Sequence, residues 1–121
     1  MKIESYRDLK VWQAGRLLAK QVYLLTRSLP SEEKFGLTSQ MRRAAVSIPS
    51  NIAEGWARHY PAEFIQFLRT ANGSLAELET QLALTVDLQL LPDSAVAPIL
   101  TDCQSLGRQV LALERSIKQR T

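Results

Sequence analysis

With 121 residues, 45% of them hydrophobic and 22% charged, the chain (1–121) is sized for a single domain with one core and is unlike a disordered segment. Five glycines and five prolines exclude a low-complexity linker, and no apolar run approaches the roughly 18 residues of a membrane span. The net charge of +3 is too mild to mark a nucleic-acid binder by itself. Its distribution is uneven: residues 1–62 hold ten Lys/Arg against five Asp/Glu, 63–114 hold two against seven, and 115–121 add three cations. One flank is therefore expected to be basic and the other acidic. A single cysteine and the opening "MKIESYRDLK", which has no apolar stretch, fit a reducing cytoplasm.

Four segments carry helical periodicity, and none shows sustained strand alternation. The first predicted helix runs from about Tyr6 to Leu29, with Val11, Ala14, Leu18, Val22, Leu25 and Leu29 as its apolar stripe and Ser5 with Asp8 as a capping pair. "LPSEEK" breaks it, and Ser31 with Glu32 and Glu33 is expected to start the second, striped by Leu37, Met41, Ala45, Ile48, Ile52 and Trp56. "RHYP" ends that helix, and Pro61 suits a first helical position. Helix three spans about Ala62 to Leu90 through Phe64, Leu68, Ala71, Leu75, Leu78 and Leu82. After "LLPDS", Asp93 or Ser94 is expected to cap helix four, where Val96, Ile99, Cys103, Leu106, Val110, Leu113 and Ile117 keep the rhythm. Four long helices with short connections predict an all-α, antiparallel up-and-down four-helix bundle.

The second helix is unusual in its interior, "RRAAVSIPSNIAEGW". Pro49 removes a backbone donor and clashes with the carbonyl of Ala45, which predicts a bend there. Gln40, Arg43, Ser47, Asn51, Glu54 and Arg58 recur at three or four residues and so share one face. Solvated helix faces favour Glu and Lys. This row uses short Ser and Asn instead, which points to a packed polar seam.

"LTSQMRRAAVSIPSNIAEG" (37–55) and "FLRTANGSLAELETQL" (67–82) resemble the bacterial four-helix-bundle family associated with intervening sequences in 23S ribosomal RNA genes. "LKVWQAGRLLAKQVY" (9–23) fits that family's first helix and "LPSEEKFGLT" (29–38) its first turn; "RHYP" departs from its more polar cap before helix three. The likeness extends to accessory proteins of diversity-generating retroelements. It implies a homopentameric ring and, from those accessory proteins, contact with nucleic acid and a nucleic-acid-processing protein.

A ring joins two different surfaces of each subunit and closes by rotation. The basic and acidic flanks suit such a contact, and equally suit solvent. In helix three Asn72, Gly73 and Ser74 interrupt the pattern; Gly73 costs about 1 kcal/mol against alanine, which suggests close approach of another backbone or a locally weak helix. Glu77 and Glu79 point about 200° apart, so they cannot act as a catalytic pair; one is expected to meet Arg43 or Arg69 across an interface. The candidate oligomer seam is thus Arg43, Ser47, Pro49, Asn51, Glu54, Gly73, Glu77 and Glu79. Candidate nucleic-acid contacts are Lys10, Arg16, Lys20, Arg42 and Arg58, a weak patch that fivefold repetition would multiply. "WARHY" (56–60) sets aromatics beside cations, but Trp56 continues the apolar stripe and is expected to close the bundle's end.

Nothing points to catalysis. A di-iron site needs Glu-x-x-His pairs on two helices, and the one histidine, His59, falls in a loop. Cys103 lies on an apolar stripe as a structural thiol. The expectation is a non-enzymatic protein without cofactor, metal or membrane contact. It would assemble with itself and bind structured RNA or, in the alternative, serve as a protein-interaction adaptor.

Overall fold

The computed structural model describes residues 2–121 and, among them, four α-helices and no strand. α1 spans Lys10–Thr26, α2 Leu37–Ala57, α3 Pro61–Asp87 and α4 Asp93–Arg120. Each helix packs on the next in chain order, and α4 packs back on α1. The direction follows from single contacts. Arg42, early in α2, reaches Thr26 at the end of α1; Gly55, late in α2, lies on Phe64 and Phe67 at the start of α3; Arg69, early in α3, meets Glu114, late in α4. Opposite ends meet each time, so the helices form the antiparallel up-and-down bundle that the four stripes predict. No helix among the described residues is long and apolar enough to cross a membrane.

The stripes converge on one core. Leu18, Val22, Met41, Ile48, Ile52, Leu68, Leu78, Leu82, Val96, Cys103, Leu106 and Val110 are buried in it. Phe64 is only half-buried, and its neighbour Ile65 takes the inner place. Trp56 is half-buried as well.

The helix limits depart from the periodicity wherever a cap intervenes. Ser5 and Asp8 do form a capping box, with Ser5 Oγ accepting from the Arg7 amide at 3.0 Å and Asp8 Oδ2 from the Ser5 amide at 3.1 Å. The box closes only a 3₁₀ turn, Tyr6–Asp8, because Leu9 is extended, and α1 starts at Lys10 rather than Tyr6. Ser31–Glu33 is likewise a 3₁₀ turn and not the start of α2. Glu33 serves α2 from outside, its Oε1 accepting from the Leu37 amide at 3.1 Å. Neither Asp93 nor Ser94 caps α4; Pro92 holds the N-cap position with no side-chain bond.

Two helices end on non-glycine residues in the left-handed region, His59 (φ 63°) after α2 and Gln89 (φ 59°) after α3. At the second, the Gln89 amide bonds to the Val86 carbonyl and the Leu90 amide to the Thr85 carbonyl, both at 2.9 Å. That is a Schellman closure built on a residue with a Cβ.

Two glycines set how closely α2 approaches its neighbours. A methyl at Gly55 would sit 2.6 Å from Phe67 Cβ and 3.1 Å from Phe64 Cδ1, so α2 and α3 cross there only because no side chain intervenes. A methyl at Gly15 would lie 3.5 Å from Pro49, an ordinary contact. α2 continues as a helix through Pro49, whose ring lies opposite the bare Gly15 of α1.

These contacts predict opposite outcomes for three substitutions. Gly55→Ala should lower unfolding free energy by about 1–3 kcal/mol through overpacking, whereas Gly15→Ala, meeting only ordinary contacts inside α1, should leave it unchanged or raise it by up to about 1 kcal/mol. Gln89→Gly should raise it by about 1 kcal/mol by relieving the left-handed backbone. Urea denaturation followed by circular dichroism measures all three.

Candidate oligomer and nucleic-acid interface

The polar row of α2 lies along its edge toward α3, and part of it is satisfied inside the chain. The Ser47 and Ser74 hydroxyls hydrogen-bond across the two helices, and Ser47 also donates to the Ala44 carbonyl at 2.9 Å. Asn51 Nδ2 donates to the Ser47 carbonyl at 2.7 Å. Side chains thus serve carbonyls beside the proline position. At the far end Arg58 meets Glu54 at 2.7 Å and Glu63 of α3 at 3.5 Å. All three groups are about half exposed, so solvent screens these pairs and they contribute little to stability. Pro49 stands apart from the row, facing α1.

Between Ser47 and the start of α2 the row opens. Gln40, Arg43, Ala44, Ser47 and Glu77 line a groove of about 490 Å³ between α2 and α3. Arg43 and Glu77 share it, yet neither forms an ion pair among the described residues. The Ser47–Ser74 and Arg58–Glu63 pairs set an antiparallel register that puts Gln40 level with Gln81. Gln81 is buried, and its Oε1 has no hydrogen-bond partner.

The candidate residues of α3 separate. Glu77 faces this groove, whereas Glu79 turns toward α4, close enough to Cys103 to raise the thiol's pKa. Gly73 is exposed, and among the described residues a methyl added there would meet nothing within 4 Å beyond its own stretch of helix, so close approach inside the protomer belongs to Gly55 and not to Gly73. Arg69 is not left for a neighbouring subunit either: its Nε donates to Glu114 Oε1 at 2.7 Å, with Lys118 at 3.8 Å on the same oxygen. The Glu114 carboxylate is buried, and burial requires such partners.

The cations divide in the same way. Lys10, Arg16 and Lys20 are exposed on α1, with Arg16 resting 5.5 Å from the Trp12 ring centroid. Arg42 is tied down: its Nε donates to Thr26 Oγ1 at 2.9 Å, and its guanidinium lies 4.5 Å over Tyr23. Arg58 is held by Glu54 and Glu63 and lies over Phe67 at 5.1 Å; the hydrogen bond it donates to Glu54 keeps its pKa above the usual value.

The sequence reading missed Phe35. It is 88% exposed and, with Tyr23 and Val46, borders a largely apolar hollow of about 580 Å³ flanked by Lys34, Arg42 and Arg43. Its signal was its position, a lone aromatic off every stripe. Also missed was the outer line of α3, where Leu84 and Leu88 are 42% and 59% exposed beyond Gly73 and Glu77.

Burial pushes the Cys103 thiol from about 9 up to about 12, with Glu79 and Asp102 adding to it. A pKa raised on folding means that the thiol's contribution to stability is intact below pH 9 and is lost as pH climbs toward 12. Labelling by a disulfide reagent at pH 8 should therefore be slow in the native protein and fast once urea unfolds it. Rapid native labelling at pH 8 would contradict this burial.

A likeness in fold appears in the crystal structure of a protein of unknown function from the S23 ribosomal protein family of Bacteroides thetaiotaomicron. It superposes with a TM-score of 0.77 at 20% identity, over 86% of this chain and 97% of that one. No curated protein matches the chain in sequence. The family model described as 23S rRNA-intervening sequence protein matches residues 7–112, all four helices included apart from the end of α4. The chain belongs to the 23S rRNA-intervening sequence protein family.

Proposed function

We propose that the chain is a non-enzymatic bundle that assembles as a homopentameric ring and binds structured RNA through its basic surface. The observation that carries the assembly is a pair of unlike exposed apolar surfaces at one end of the bundle. The first is Phe35 with Tyr23 and Val46, flanked by Lys34, Arg42 and Arg43. The second is Leu84 and Leu88 at the end of α3, with Asp87 beside them and Gly73 and Glu77 farther up the helix. One is bordered by cations and the other by carboxylates. Joining unlike surfaces makes a heterologous contact, which closes a ring when the rotation suits.

Gly73 supports the same reading. An exposed glycine inside a helix costs about 1 kcal/mol against alanine and brings no packing within the protomer. A neighbouring helix laid on α3 would use the missing side chain. The subunit number five and the RNA come from the family resemblance; Lys10, Arg16 and Lys20 are the freest cations to meet phosphate, and repetition multiplies them. The apolar character of the Phe35 hollow favours one second reading, a protein-interaction adaptor without nucleic acid.

Sedimentation equilibrium is the test of assembly. We expect a mass several times the 13.6 kDa of the chain, reduced by Phe35→Ser or by Leu88→Ser. Gly73→Ala should raise protomer stability and weaken assembly; a single 13.6 kDa species at high concentration overturns the ring. For RNA, affinity should fall steeply with salt, and Lys20→Gln should reduce the log–log slope by about 1 per protomer contact. Assembly without RNA binding at low salt would leave the adaptor.

A further inference from the structure

The turn between α2 and α3 holds a cavity of about 300 Å³ that no seam or cationic patch uses. Trp56, His59, Tyr60 and Phe64 line it from the turn, and Ile117 with Arg120 lines it from the end of α4. The sequence leads one to expect Trp56 to close this end of the bundle. Trp56 does pack against the core but stays half-buried, Tyr60 is 66% exposed, and a space remains among four aromatic rings. Left-handed His59 reverses the chain within three residues, which gathers all four rings around one opening. Trp56 and His59 meet edge-on, 5.3 Å between centroids at 66°, so they form adjoining walls and not a closed stack.

Its chemistry selects one occupant. Aromatic cages that take cations rely on an electron-rich, anion-compatible site. Here the cavity's one charged aliphatic side chain is Arg120, and no carboxylate side chain lines it. The two nearest acids of the turn, Glu54 and Glu63, are both engaged by Arg58. Arg115 adds positive charge in the same stretch of α4, where the carboxylate of Glu114 is already met by Arg69 and Lys118. Flat apolar walls with a guanidinium at the edge suit a planar heterocycle that carries an anion.

We propose that this pocket binds one unpaired nucleobase of single-stranded RNA, stacked against the Trp56 and Tyr60 rings, with its phosphate on Arg120. Aromatic stacking is tolerant of base identity, so the pocket reads single-strandedness and not sequence. The inference deepens the RNA reading and rests on it, but it assigns unpaired bases to the α2–α3 turn while the α1 cations take phosphates elsewhere. Each protomer carries a complete pocket, so the site does not require the ring.

The test uses the full chain with Trp12→Phe, which leaves Trp56 as the sole indole. A single-stranded adenine hexaribonucleotide and a fully paired RNA duplex serve as probes at low salt. The hexamer should shift and quench Trp56 emission, and the duplex should not. Tyr60→Ala should weaken hexamer affinity by about tenfold. Tyr60 is exposed, so its loss should leave the melting curve unchanged. Arg120→Gln should reduce the salt slope for the hexamer by about 1. Hexamer binding that leaves Trp56 emission and Tyr60→Ala affinity unchanged overturns the pocket while the α1 surface stands. Failure of both probes to bind overturns the RNA reading together with the pocket, and quenching by an apolar peptide but not by the hexamer assigns the pocket to protein.

Discussion

The crossing of α2 over α3 at Gly55 governs much of the rest. With no Cβ to separate the helices, Phe67 and Phe64 press directly on the α2 backbone, and the two axes are fixed in register at that end. Everything along the shared edge follows from this register. Arg58 comes level with Glu63, Ser47 meets Ser74, and Arg43 is brought over Glu77. A side chain at position 55 would push the helices apart and widen every one of these distances. The polar row of α2 is thus largely an internal strut, tight in the middle and open toward the start of the helix.

A second constraint lies in how the chain handles its charges. Arg42, Arg58 and Arg69 each leave the count of free cations by joining helices or turns: Arg42 ties α1 to α2, Arg58 bridges α2 and α3, and Arg69 ties α3 to buried Glu114 in α4. What remains exposed and unengaged by acids includes Lys10, Arg16 and Lys20 on α1, Arg108, Arg115 and Arg120 on α4, and the cations beside the Phe35 hollow. Formal charge by sequence segment therefore overstates the number of free cations around α2, where Arg42 and Arg58 are engaged.

The bundle itself was legible, because burial imposes a 3.6-residue rhythm and all four stripes obey it. So was the shared face of Gln40, Arg43, Ser47, Asn51, Glu54 and Arg58. What that face looks at was not legible, since it depends on which way the chain turns after Ala57. The limits of α1 and α2 were missed for a local reason: Leu9 is extended, and Glu33 caps from four residues before Leu37. The two helical glycines could have been told apart. Gly55 falls on the stripe of Ile48 and Ile52, whereas Gly73 falls between stripe positions Ala71 and Leu75 and so had to face outward. Cap residues with left-handed backbone, His59 and Gln89, carry no such signal, because neither is the glycine or asparagine that marks the conformation.

Gln81 has a consequence for motion. Its amide oxygen is buried and receives no hydrogen from the described residues, and a buried acceptor left unpaired costs about 1–3 kcal/mol. Any excursion that lets solvent reach this oxygen recovers part of that amount, so the last third of α3 should open more readily than a fully paired segment would. The excursion begins level with Gln40, where the open groove already brings water close to the interior. Local opening of the bundle is therefore expected along this part of α3, far from the Gly55 crossing.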